Sequence, residues 1–135
     1  MKFSRKDVSG LKKNRLSSPV TYRDPCQLGR NGGIYEERRR LIRQFASDFR
    51  EMTPNRKRNW CCGGGGGLVA RADMAEFRND IGRLKAEQIR STGAIIVAAP
   101  CGNCRQQLQS LNEKYQLNVR IAAVSELLLE NIHIA

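Results

Sequence analysis

The sequence predicts an α/β domain built on a mainly parallel sheet, and three observations carry that expectation. Strand-like and helix-like stretches alternate four times along the chain. One stretch, Ala94-Ile95-Ile96-Val97-Ala98-Ala99, is apolar at every position, as a central parallel strand covered on both faces must be. All the cysteines stand in loops that follow a strand-like stretch. In parallel sheets with right-handed crossovers such loops gather at one edge, outside the C-terminal strand ends, where sites form.

In chain order, residues 1–18 are polar and basic and read as a flexible lead-in; residues 19–135 read as the domain. Val20-Thr21-Tyr22 is a β-prone run stopped at Asp24-Pro25, since proline cannot donate to a ladder. Cys26 follows at once, and Gly29, Asn31, Gly32 and Gly33 make an adaptable loop. The spacing of Ile34, Leu41, Ile42 and Phe45 predicts a helix over 34–47. A second strand is expected from Phe49 to Met52, broken by Thr53-Pro54-Asn55. A loop then carries the chain through Trp60 to Cys61-Cys62 and five consecutive glycines, Gly63, Gly64, Gly65, Gly66 and Gly67.

Asp73 with Glu76 three residues on has capping-box spacing and predicts a helix start. Met74, Phe77, Ile81, Leu84 and Ile89 give that helix one apolar stripe, ending at Gly93. The apolar strand Ala94 to Ala99 ends at Pro100, and Cys101-Gly102-Asn103-Cys104 opens a helix with Leu108, Leu111 and Tyr115 inward. A strand from Val119 to Val124 and a last helix from Ser125, with Leu127, Leu128 and Ile132 on its apolar face, complete a single Rossmann-like unit.

The chain is 135 residues long, the size of one domain. Its one histidine, His133, excludes a His-rich zinc enzyme, a Ser-His-Asp triad and an HExxH site. Any chemistry falls to the five cysteines. No apolar run approaches the ~20 residues of a membrane span, and no signal peptide is visible, so the cytoplasm is the expected compartment. The net charge of +11 sits almost wholly in residues 1–60, which carry +10 against +1 for residues 61–135. Few aromatics interleave with the basic residues, so no nucleic-acid partner is expected. The run Arg38-Arg39-Arg40 reads as a solvated helix face. The basic half instead suits an acidic protein partner.

Four readings of the cysteines compete. Buried structural thiols belong on apolar stripes, and these stand beside Pro, Gly or Asn. Disulfides suit neither the odd count nor a reducing compartment. Zinc takes four thiolates and usually a second CxxC, whereas here a vicinal pair and a distant single Cys accompany one CxxC. An iron–sulfur cluster accepts a soft all-thiolate set, and a glycine run lets backbone approach an inorganic core closely. Arg30 and Arg105 flank cysteine loops, as candidates for an anionic substrate tail or as solvated surface. Trp60 beside the vicinal pair is a candidate shield against water or ordinary core.

Asp24-Pro25-Cys26, Trp60-Cys61-Cys62 with Gly63 to Gly67, and Pro100-Cys101-Gly102-Asn103-Cys104 resemble the cysteine-rich (CCG) domain of the heterodisulfide reductase family. The resemblance runs from Thr21 to about Ile132. The wording Phe49 to Arg56 and Leu84 to Ile89 is most similar to the heterodisulfide-reductase-like subunit of the membrane complex associated with dissimilatory sulfite reductase. It implies that Cys26, Cys61, Cys62, Cys101 and Cys104 bind a noncubane [4Fe-4S] cluster, with Gly63 to Gly67 against it. It also implies a ferredoxin-type iron–sulfur donor, a disulfide or trisulfide substrate, and docking on the cytoplasmic face of a membrane redox complex. No CxxCxxCxxxCP run is present, so the electron donor is expected on a partner. Zinc, in a non-enzymatic module whose basic half holds an acidic partner, is the alternative.

Overall fold

The computed structural model describes residues 16–65 and 67–131; the lead-in before Leu16, Gly66, and the tail with Ile132 and His133 lie outside the described residues. Three short strands, β1 (Val20–Tyr22), β2 (Ile96–Ala98) and β3 (Arg120–Ala122), form a parallel sheet in the order β1-β2-β3. Val20 faces Ile96, and Ile96 faces Arg120. The ladder runs past the strand ends: Arg23 N–H donates to Ala98 O at 3.0 Å and Ala99 N–H to Ala122 O at 2.9 Å. β2 is therefore the central strand that its uninterrupted apolar run predicts.

Helices cover both faces of the sheet, because successive residues of a strand point to opposite sides. Ile96 and Ala98 pack with Ile42 and Phe45 of α1 (Glu36–Phe45) and Leu127 of α5 (Val124–Asn131). Val97 and Ala99 face the other way, onto Ile89 of α3 (Arg83–Thr92) and Leu108 and Leu111 of α4 (Gly102–Tyr115). Cys62 and Cys104 belong to this second cluster, so the site lies on the α3–α4 side of the sheet.

The departures from expectation have physical causes. Leu16, within the expected lead-in, already pairs with Ala46 and packs on the first cluster. The strand expected from Phe49 to Met52 is reduced to a single parallel bridge, Phe49 to Val20. Pairing stops there because Glu51 turns to Arg39 and Met52 enters the second cluster ahead of Thr53-Pro54. Asp73 does not cap a helix; its carboxylate pairs with Arg71 and α2 (Ala75–Ile81) begins after it.

The single helix expected up to Gly93 is two, divided at Gly82. A Cβ on Gly82 would stand 2.5 Å from Cys62 O and 2.7 Å from Leu111, so only glycine lets the site loop lie against the helix junction. The break also turns the apolar stripe outward. Phe77, Ile81 and Leu84 are exposed, and Arg78, Asn79, Lys85 and Gln88 are buried in their place. Arg39, in the middle of the arginine run, is buried as well.

Candidate functional site

Arg23 and Asp24 leave β1 side by side, and both are buried. The Asp24 carboxylate accepts two hydrogen bonds from Arg39, at 2.7 and 2.6 Å, and a third from the Arg56 N–H at 2.8 Å. Arg39 also donates to Glu51 at 2.6 Å and lies over the Tyr22 ring. A buried ion pair survives when further hydrogen bonds satisfy both partners, as they do here. The Asp24 carbonyl accepts from Asn59 Nδ2 at 2.6 Å. One residue thus ties the loop entering Cys26 to the loop entering Cys61.

Gln107, on α4, secures the vicinal pair. Its Nε2 donates to Cys62 O at 2.8 Å, and its Oε1 accepts from Arg78 Nε at 2.8 Å. Gly63 has φ +92°, and a Cβ there would fall 2.2 Å from Arg78 O. Gly64 would carry a Cβ 2.9 Å from the Gln107 side chain. These two glycines let the loop seat on α2 and α4, while a Cβ on Gly65 or Gly67 would meet nothing within 4 Å. Cys101 stands at the N-terminus of α4 and Cys104 in its first turn.

The three loops meet. Cys26, Cys61, Cys62, Cys101 and Cys104 all line one cavity of about 190 Å³, completed by Arg23, Asn103 and the backbone of Gly64, Gly65 and Gly67. All five thiols are free. The sulfurs contact in series, Cys61 to Cys62, Cys62 to Cys104 and Cys104 to Cys101. Arg23 Nη1 donates to Cys104 Sγ at 2.8 Å, and its side chain also bonds Cys26. Among the described residues, no three Cys, His, Asp or Glu side chains close on one point as a single metal ion requires.

The thiols are not equivalent. The Cys62 thiol and then burial raise the pKa of Cys61, although the Gly63 N–H approaches its sulfur at 3.3 Å. Cys62 is raised too, first by the Cys104 thiol. Cys101 goes the other way. Burial disfavours its thiolate, but the Cys104 and Asn103 N–H groups, the Cys104 thiol and the Arg23 charge outweigh it. Lys85 Nζ donates at 2.5 Å to Oδ1 of Asn59, two residues before the vicinal pair. Burial, and then the Arg23 charge, lower its pKa to about 7.

The flanking candidates fall elsewhere. Arg105 donates to Ala99 O at 2.9 Å and lines a separate cavity of about 170 Å³ with Arg38. Trp60 is 42% exposed, so it neither closes the thiol cavity nor packs in the core. The Arg30 side chain lies outside the described ones. Sequence reasoning missed Arg23, Asp24, Arg39, Lys85 and Gln107. The one signal is position, for three of them: Arg23-Asp24 stands just before Pro25-Cys26, and Gln107 three residues after the last cysteine.

A parallel α/β sheet with a five-thiol cavity at its C-terminal edge defines a cysteine-rich redox or metal-binding class of domain. Residues 20–109 match the family model of the cysteine-rich domain, CCG, and the chain belongs to that family. It is 32% identical over 123 residues to one of the subunits of the fumarate reductase (CoM/CoB) of Methanothermobacter marburgensis, covering 90% of this chain and 24% of that protein. It is 27% identical over 116 residues to one of the subunits of the dihydromethanophenazine:CoB–CoM heterodisulfide reductase of Methanosarcina barkeri, 85% of this chain and 28% of the relative. An iron-sulfur subunit of the Hdr-like menaquinol oxidoreductase of Archaeoglobus fulgidus is 28% identical over 113 residues, 80% of this chain and 20% of that one. The chain thus spans between a fifth and three-tenths of these relatives' lengths. No described helix is long and apolar enough to cross a membrane.

Proposed function

We propose that this domain is an iron–sulfur redox module of a heterodisulfide-reductase-like assembly. Cys26, Cys61, Cys62, Cys101 and Cys104 are the ligands in this reading, and the group is a noncubane [4Fe-4S] cluster. The observation that carries it is the single cavity of about 190 Å³ ringed by five sulfurs from three separate loops. The donors are all soft thiols and there are five of them, one more than a tetrahedral zinc takes, which suits a cluster of several irons better than one zinc. Relatives named as heterodisulfide reductase and iron-sulfur subunits support it.

A cluster in this place supplies one-electron chemistry to a sulfur–sulfur bond. The chain's own residues prepare the place. Asp24 and Gln107 fix the three loops, and the α4 N-terminus and Arg23 favour thiolate at Cys101. Gly64, Gly65 and Gly67 leave one wall bare. The cavity opens at the sheet edge, where a disulfide- or trisulfide-bearing substrate has access. A ferredoxin-type partner is the electron donor, and the site works on the cytoplasmic side, docked to a membrane redox complex.

Cys61→Ala and Cys62→Ala proteins, reconstituted anaerobically with iron and sulfide, test the ligand set. Each is expected to lose the visible and EPR signals of the cluster while keeping its far-UV helix signal. An intact cluster in both variants overturns the assignment.

A further inference from the structure

Arg23 and Lys85, like Arg78 beside Gln107, are buried near the site with no carboxylate of their own. Arg23 is 1% and Lys85 0% exposed. Asp24, next in sequence to Arg23, is bound by Arg39 and the Arg56 N–H. Lys85 Nζ is hydrogen-bonded to the neutral Asn59 side chain. Neither cation joins an ion pair with Asp or Glu among the described residues. A buried charge without an opposite charge is strongly unfavourable, so Arg23, which cannot shed its proton, needs negative charge to match it, and Lys85, whose pKa falls to about 7 in the metal-free protein, needs the same to stay an ammonium. That charge comes from the cavity. The thiolate forms of Cys62, Cys104 and Cys26 are what would hold Arg23 charged, and those of Cys62 and Cys61, with the Asp24 carboxylate, favour the charged form of Lys85.

We propose that Arg23 and Lys85 are the built-in counter-charge of the thiolate site, positioning residues that hold an anionic centre and raise its reduction potential. The inference rests on the iron–sulfur reading above. Ligation by thiolate gives the site a net negative charge, and accepting one electron adds one more. Fixed positive charge in a water-poor surrounding stabilises the reduced form more than the oxidised one, which moves the potential upward. The two act by different routes. Arg23 donates an N–H directly to the sulfur of Cys104. Lys85 acts across Asn59, two residues before the vicinal pair, and the charge of the loaded site keeps it as the ammonium.

The test uses the whole chain and Lys85→Met, Arg23→Lys and Arg23→Gln, each reconstituted anaerobically. Two quantities are measured: the midpoint potential by EPR-monitored titration, and thermal unfolding of metal-free and loaded protein. Lys85→Met should make the metal-free protein more heat-stable, because it removes an unmatched buried charge. In the loaded protein it should disfavour reduction about tenfold, a fall of ~59 mV for a one-electron couple. Arg23→Gln should lower the potential too, and Arg23→Lys should restore part of it. If Arg23→Gln does not fold, Lys85→Met alone decides. A loaded Lys85→Met protein at the wild-type potential overturns this inference and leaves the iron–sulfur reading standing. Wild-type protein that takes up no iron overturns both.

Discussion

Lys85 is buried, its Nζ bonded to a neutral amide oxygen, and its pKa is held at about 7 against the usual 10.5, by burial first. Between those two values the unfolded chain keeps a proton that the folded chain lacks. Stability from this group therefore rises with pH from about 7 towards 10.5, and the full penalty is present below about 7. In metal-free protein, the advantage of Lys85→Met over wild type should be largest near pH ~6 and smaller by pH ~9. Denaturant melts across that range check it, and a constant difference contradicts it. The cysteines were legible in the sequence because thiols in Pro- and Gly-bounded loops announce chemistry. Lys85 and Arg23 were not, because a cation reads as surface until its burial is known. Arg39 was hidden in the same way, as one of three consecutive arginines of which it alone is buried. Arg39→Met leaves the buried Asp24 carboxylate without its cation, and should cost about 3–5 kcal/mol in denaturant unfolding.

The α2–α3 junction shows why elements were harder to read than residues. Met74, Phe77, Ile81, Leu84 and Ile89 keep helical spacing only if the helix is continuous, and Gly82 divides it. The division is imposed by a partner distant in sequence, the Cys62 carbonyl, which no local pattern reveals. Asp73 illustrates a second limit, since its neighbour Arg71 claims the carboxylate that a capping box needs. By contrast β2, α4 and the end of α3 follow local signals: an apolar run, a CxxC after proline, and Gly93 in the left-handed conformation at φ +68°. Gly82→Ala should destabilise the protein by roughly 1–3 kcal/mol, the range for overpacking a filled interior. It should also reduce iron uptake, because the added methyl pushes on Cys62. Wild-type stability and uptake would contradict the role given to this glycine.

Across the whole molecule, the parallel sheet was predictable from the alternation of elements, and with it the meeting of the three cysteine loops at one edge. What holds those loops in register was not, because Asp24 and Gln107 act between segments 35 and 45 residues apart. The sheet supplies the edge, polar residues beneath it fix the loops, and five thiols ring the cavity. Metal content after anaerobic reconstitution, read together with the EPR spectrum, tests this account most directly. It predicts a brown protein with about four irons per chain and a cluster signal on redox cycling. A colourless protein that holds one zinc under the same conditions would contradict it.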